Sequence, residues 1–229
     1  MTLNSKHLFE FDKNNHAQVL IGTDEAGRGP GAGGVFASAV YFQSIDDELI
    51  EKLSCLNDSK KLSKKKREEL FEIILNNTIN STVCIEVEEI EQINILNASL
   101  KAMKLACENV IEEVKKQSRA GWQSCRHESE VLILIDGNKN IKNFDYPQQF
   151  VIKGDGKSAS IAAASILAKV SRDRYMQKLD KKFPQYNWKQ NAGYLTKEHL
   201  EAIEKHGITP IHRKSFLKGR NTKQLTLLN

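Results

Sequence analysis

Two apolar runs that each end in an acid constrain this chain more than anything else in it. Val19-Leu20-Ile21, extended by Gly22 and Thr23, closes on Asp24 and Glu25, while Val131-Leu132-Ile133-Leu134-Ile135 closes on Asp136 before Gly137. Continuous apolar runs of this length read as strands buried on both faces. If the two lie side by side and parallel, ~4.8 Å apart, Asp24 and Asp136 arrive at the same end of one sheet. Two like charges ~4 Å apart repel by about 4 kcal/mol at an effective dielectric near 20, so that arrangement calls for a cation. Successive side chains of a strand alternate faces, and Glu25 is expected to join the pair only if the first strand breaks there. Taken singly, Asp24-Glu25 reads equally as a solvated strand end and Asp136 as a turn residue before glycine.

The first acid pair runs into Gly27-Arg28-Gly29, where glycines let backbone N–H groups approach a phosphate closely. Gly29, Gly31 and Gly34 also satisfy the dinucleotide pattern G-x-G-x-x-G. That pattern needs a helix directly after it. VFASAVYF (35–42) follows instead, β-branched and aromatic, a strand by composition. No Gly-Lys-Ser/Thr closes the loop either, so a nucleotide cofactor is set aside.

Around these features the chain reads as a polar lead-in (1–17), an antiparallel strand pair (18–24 and 35–42), a helix over 45–56 and a loop over 57–63. Ser63 is placed to cap a helix over 64–75. A half-exposed strand is expected over 81–90, an amphipathic helix over 91–116 and a polar surface excursion over 117–130. A strand over 149–153 leads through GDGKS (154–158) into a long helix whose Ala162, Ala163, Ala164 and Ala168 permit close packing on a sheet. Asp155 is either a turn or capping residue or a further member of the acid group. Asp173 reads as an ion-paired helix residue with Lys169 four positions before it. Another short helix is expected over 196–205. His199, His206 and His212 have no metal-ligand spacing and are expected at the surface or at caps. Tyr194, after Gly193, is either a core anchor or an exposed stacking surface.

The chain has 229 residues, 40% of them hydrophobic, enough for one sizeable domain. A net charge of +5 leans mildly toward an anionic partner, and its distribution says more. Residues 60–67 carry six basic groups and no acid, and no acid follows Glu204. The four cysteines are scattered without C-x-x-C pairing, which points to reduced thiols and away from zinc. The first residues lack the apolar core of a signal peptide, and no run approaches transmembrane length. A soluble, cytoplasmic protein is expected.

TDEAGRGP (23–30), DSKKLS (58–63), IKGD (152–155), SIAAASILAKVSRDRYM (160–176), GYLTKEH (193–199) and HRKSF (212–216) resemble ribonuclease HII, the type 2 ribonuclease H. The blocks occur in that family's order across 18–216. The related ribonuclease HIII carries an extra N-terminal domain, for which the lead-in leaves no room. The resemblance implies an α/β protein with a ribonuclease H-like fold, a mixed central β-sheet flanked by helices and a helical C-terminal extension. It divides the chain into a lead-in (1–17), a catalytic domain (18–216) and a basic tail (217–229). It implies an endonuclease that cuts the RNA strand of RNA–DNA hybrids and cuts 5′ of a ribonucleotide embedded in duplex DNA. Residue by residue, the family's catalytic carboxylates fall on Asp24, Glu25, Asp136 and Asp155, its Gly-Arg-Gly on Gly27, Arg28 and Gly29, and its 2′-hydroxyl-sensing tyrosine on Tyr194. Gly31 and Gly34 stand where the family usually has Leu and Pro, which is expected to loosen the loop. Ala192 and Leu195 replace Lys and Gly around Gly193-Tyr194, which removes a phosphate contact.

The chemistry of the residues agrees. In-line hydrolysis of a phosphodiester needs an activated water and a stabilised leaving oxygen, which two divalent ions ~3.5–4 Å apart can supply. Oxygen ligands without His or Cys favour Mg²⁺ or Mn²⁺. The N–H groups of 27–29 can hold a phosphate and the 2′-OH that separates RNA from DNA. Ser59, Lys60 and Lys61, with the basic helix after them, would bind backbone without reading sequence. A non-catalytic nucleic-acid-binding module would explain the charge but leave the clustered acids as repulsion. A phosphohydrolase of small nucleotides would not need Tyr194 or the basic tail. A monomer is expected. Gln224, Leu225, Leu227 and Leu228 resemble the short Gln-Leu-x-Leu-Phe/Leu peptides with which bacterial replication and repair proteins dock on the sliding clamp, the alternative being leucines that pack the tail onto the domain.

Overall fold

The computed structural model describes residues 5–57, 62–117 and 131–218. Among them, β1 (Val19–Ala26), β2 (Val35–Tyr41), β3 (Ile79–Ile85), β4 (Val131–Asp136) and β5 (Gln148–Val151) form one sheet in the order β3-β2-β1-β4-β5. The two apolar runs are parallel neighbours at its centre, with Val19 opposite Val131 and Thr23 opposite Ile135. β2 runs antiparallel to β1 and β3, and β5 parallel to β4. The sheet is therefore mixed, as expected.

Both faces are covered, which is why the central strands carry no polar alternation. On one face, α5 (Ile95–Gln117) sets Met103, Cys107 and Val110 against Ile21, Ala37 and Ile133. On the other, the Ala-rich start of α6 (Ala159–Lys182) packs with α1 (Lys6–Lys13), α2 (Asp47–Lys52) and α3 (Lys64–Asn77). Gly22 makes that contact close: a Cβ there would stand 2.3 Å from the Ile161 nitrogen. The first turn of α6 is thus seated directly on β1, two residues before Asp24.

Several elements differ from the sequence reading, each for a local reason. Within the polar lead-in lies α1, which buries Leu8 and Phe9 beside α6. Its Asp12 Oδ2 accepts from the Ser160 N–H and hydroxyl, both at 2.8 Å, so the segment is tied into the body. The helix expected over 45–56 is shorter, α2 beginning after Asp46, whose side chain accepts from the Leu49 N–H. The strand expected over 81–90 ends at Ile85, and α4 (Val87–Ile93) follows. Val87 extends the alternation of Val83 and Ile85, but Val87 and Ile90 are buried at helical spacing, and Glu88 and Glu89 favour the positive end of a helix. Asn94, in the left-handed region at φ 65°, ends α4, and its side chain caps α5 at Asn97. Ser63 caps α3 through the Lys66 N–H, as expected. Residues 118–130, most of the expected surface excursion, lie outside the described residues.

The C-terminal part forms α7 (Trp188–Asn191), α8 (Lys197–His206) and α9 (Lys214–Leu217) around a cluster of Met176, Tyr186, Trp188, Ile203 and Leu217 that also takes in Ala32. His206 is exposed, but His199 and His212 are not the surface or capping residues expected. They are buried and packed against Tyr186 and Trp188. The Trp188 Nε1–H donates to His199 Nε2 at 3.0 Å, so His199 Nδ1–H donates to the Tyr194 carbonyl at 2.9 Å. The Thr209 N–H donates to His212 Nδ1 at 2.9 Å, leaving His212 Nε2–H to point at His199 Nε2, 3.1 Å away. Burial holds both imidazoles neutral, and burial with His199 beside it brings His212 down to about 4. A histidine buried in apolar company needs each ring nitrogen satisfied, and partners this far apart in sequence leave no spacing signal.

Candidate active site

The ladder between β1 and β4 ends at Thr23–Ile135, whereas β1 continues along β2 to Ala26, opposite Phe36. The strand does not break at Glu25, as its participation was expected to require; β4 stops beside it, and the sheet parts. A cleft of about 330 Å³ opens there, lined by Asp24, Glu25, Asp136 and Asp155 together with Gly27, Arg28, Gly29 and Tyr194. Ser158, through the Ile161 N–H, is the cap of α6, so Asp155 is not its cap. It lies instead on the 3₁₀ turn Gly154–Gly156. That turn is held to β4 by the Gly154 N–H, which donates to Asp136 Oδ1 at 2.6 Å.

Asp24 is 6% exposed. Burial, then the charges of Glu25 and Asp136, push its carboxyl well above the ordinary carboxylate range, against a hydrogen bond from Ser165. Burial also raises Glu25, which Arg28 partly offsets with an ion pair at 3.2 Å. Among the described residues no three His, Cys, Asp or Glu side chains form a ready-made cage for an ion. The carboxylates are turned to separate donors: Asp24 Oδ1 accepts from the Glu25 N–H at 2.7 Å, and Asp136 and Glu25 have the partners just given. The cleft fits a divalent ion by its donor chemistry, four carboxylates with no His or Cys among the lining residues.

Tyr194 is 53% exposed, which settles it as a surface residue at the rim. Its ring overhangs the loop: a Cβ at Gly29 would come within 3.3 Å of Tyr194 Cε1. Gly27 has φ +101°, and a Cβ there would meet Arg172 Nε at 2.2 Å, so glycine is required on both counts. The expected loosening at Gly31 and Gly34 is not found. A Cβ at Gly31 would lie 2.6 Å from the Leu195 side chain, and one at Gly34 2.6 Å from Cys84 Sγ. Leu195, a departure on one loop, fills the space opened by Gly31, a departure on the other. Lys64, Arg67, Lys169 and Lys189 line a groove beside Ala192, where the lysine is missing.

Ser165, Lys169 and Arg172 also line the cleft and were not singled out as site residues. They are spaced i, i+4, i+7 along α6, a polar stripe interrupting an alanine-rich face, and that spacing was the available signal. Lys169 does pair with Asp173, as expected. Ser59, Lys60 and Lys61, and the tail residues Gln224, Leu225, Leu227 and Leu228, lie outside the described residues.

A carboxylate-lined cleft at the parting of a mixed sheet, beside a glycine loop backed by arginines, defines a metal-assisted hydrolase of a phosphate-bearing polymer. A family model described as ribonuclease HII matches residues 21–219. A ribonuclease HII of Rickettsia conorii is 46% identical over 209 residues, covering 91% of this chain and 96% of its own. Another, of Fusobacterium nucleatum, is 44% identical over 216 residues, covering 94% and 91%. Among solved structures, the ribonuclease H2 of Pyrococcus horikoshii OT3 matches with a TM-score of 0.61 at 25% identity, over 86% of this chain and 93% of that one. The chain belongs to the ribonuclease HII family. It has the ribonuclease H-like fold and is an endoribonuclease, a metal-dependent hydrolase of RNA–DNA hybrids.

Proposed function

We propose that this enzyme, besides cutting the RNA strand of hybrids, incises duplex DNA 5′ of a single embedded ribonucleotide, leaving 5′-phosphate and 3′-hydroxyl ends. The observation that carries this reading is the exposed Tyr194 ring standing over Gly29 at the rim of the carboxylate cleft. A ring at that place can meet the sugar of one nucleotide, while the N–H groups of the 27–29 loop meet its 2′-OH and phosphate. One ribose therefore suffices for recognition. Asp24, Glu25, Asp136 and Asp155 would hold the divalent ions, Mg²⁺ or Mn²⁺, which when bound in a pair supply an activated water and stabilise the leaving 3′ oxygen. The groove of Lys64, Arg67, Lys169 and Lys189, which shares Lys169 with the cleft, offers a sequence-independent path for the backbone. The test is a duplex with one ribonucleotide, run with Mg²⁺ beside an all-hybrid substrate and with the product ends mapped. Cleavage of the hybrid alone, or a cut on the 3′ side, sinks the reading.

A cytoplasmic setting is part of this proposal, in keeping with the free thiols of Cys55, Cys84 and Cys107; localisation of a tagged chain outside the cytoplasm would refute it. The tail pattern leaves two readings, leucines that pack onto the domain or docking on a sliding clamp, and the second has a direct test. Deleting residues 224–229 should then abolish clamp binding without lowering the melting temperature, and an intact protein that binds no clamp rules it out.

A further inference from the structure

Beneath the 27–33 loop lies a cation that the chemistry above does not use. Arg213 is fully buried, and among the described residues it makes no ion pair. Its guanidinium donates to carbonyl oxygens instead: Nη2 to Gly27 at 2.7 Å, Nη1 to Pro30 at 2.9 Å and Arg28 at 3.2 Å, and Nε to Gly33 at 2.9 Å. Its own N–H donates to the Gly31 carbonyl at 2.8 Å. One residue thus gathers the carbonyls of most of the loop to one side.

In a planar trans peptide the carbonyl and the following N–H point in opposite directions. The Gly27 and Arg28 carbonyls face Arg213, so the Arg28 and Gly29 N–H groups face away from it. Gly31 reports where that side is: its N–H, behind the inward Pro30 carbonyl, reaches the Gly193 carbonyl at 3.0 Å, beside Tyr194. Among the described residues no carboxylate forms an ion pair with Arg213, so its positive charge under the loop favours an anion above. Arg172 works alike, donating to the carbonyls of Ala32, Gly34 and Ala192.

We propose that Arg213 is a positioning residue for nucleotide recognition: by holding the loop carbonyls inward it aims the Arg28 and Gly29 N–H groups at the phosphate and 2′-OH. This rests on the single-ribonucleotide reading above. A lysine in its place keeps the charge but is a point donor that cannot fork across four carbonyls.

The test measures binding of a duplex with one ribonucleotide and of its all-DNA counterpart, in Ca²⁺, whose looser coordination disfavours turnover. Melting temperatures are recorded alongside. The wild type should prefer the ribonucleotide duplex, and Arg213→Lys should reduce that preference about tenfold, the worth of one or two backbone hydrogen bonds. An undiminished preference in a folded Arg213→Lys overturns the role of Arg213 and leaves the single-ribonucleotide reading standing. A wild type without preference overturns that reading and this inference with it. If Arg213→Lys does not fold, amide shifts in the wild type decide. The Arg28 and Gly29 protons should move on binding while the committed Gly31 proton stays, and unmoved Arg28 and Gly29 protons overturn the proposal.

Discussion

Asp136 accepts a hydrogen bond from Gly154 through one carboxylate oxygen, and an asparagine can accept the same bond while giving up the charge. Asp136→Asn should therefore fold normally and bind substrate with KM little changed. Its kcat should fall on the order of 10²–10³-fold, as for the loss of one group that stabilises charge in the transition state. Wild-type-like turnover would remove Asp136 from the site. The same variant probes the metal. Millimolar Mg²⁺ should raise the melting temperature of the wild type by mass action and that of Asp136→Asn less, because a negative donor is gone; equal shifts in both would place the ion elsewhere. At the rim, Tyr194→Phe keeps the ring and loses the hydroxyl, while Tyr194→Ala loses both. If stacking dominates, Phe stays nearly active and Ala loses about 1–3 kcal/mol of binding; if the hydroxyl dominates, both fail. An Ala variant fully active on an embedded ribonucleotide would end the role of Tyr194.

Between elements, the Tyr194 loop and the glycine loop are joined by the Gly31 N–H to Gly193 carbonyl bond and by Leu195 lying where a Gly31 side chain would be. Gly31→Leu overfills that space and should destabilise by about 1–3 kcal/mol. Leu195→Gly empties it and should raise KM for the ribonucleotide substrate. The double variant exchanges the two residues and should recover much of both losses, a coupling of about 0.5–3 kcal/mol; additive effects in denaturant unfolding would show that the loops are independent. The sequence displays Gly31 and Leu195 as two separate departures from a pattern, because neither residue reveals its partner 164 positions away. What could be read was whatever is local or periodic. β1 and β4 are continuous apolar runs, Ser63 precedes a basic helix, and the resemblance placed the four carboxylates on positions that do share a cleft. What could not be read depends on approach in space: the helix hidden in a polar start, the strand that passes into α4 after one more alternating valine, and the carbonyl cage of Arg213. Glu25 lies between these cases, since its place depends on where β4 stops and not on β1 itself.

Over the whole molecule, the sheet body and the C-terminal helices meet at the glycine loop, and the buried histidine pair lies behind that junction. His199 holds the Tyr194 carbonyl, and His212 immediately precedes Arg213, so charging either ring would disturb the part of the fold that aims the loop. Both rings are held neutral, His212 down to about 4 against an ordinary 6.5. A histidine whose folded pKa is depressed contributes stability that is fully present above the unfolded pKa and is lost as pH falls toward the folded one. The window thus runs from about pH 6.5 down to about pH 4, and full protonation of His212 costs on the order of 3 kcal/mol. Asp24 and Glu25, whose folded pKa values are raised, act in the opposite sense, so a wild-type pH profile mixes the two. His212→Asn separates them: its Oδ1 can still accept from the Thr209 N–H, and it does not titrate in this range. In metal-free buffer the melting temperature of the wild type should fall more steeply between pH 7 and pH 4.5, on the order of that window, than that of His212→Asn. Parallel profiles would show that the imidazole charges in the folded protein as readily as in the unfolded chain, and the acid sensitivity would then belong to other groups.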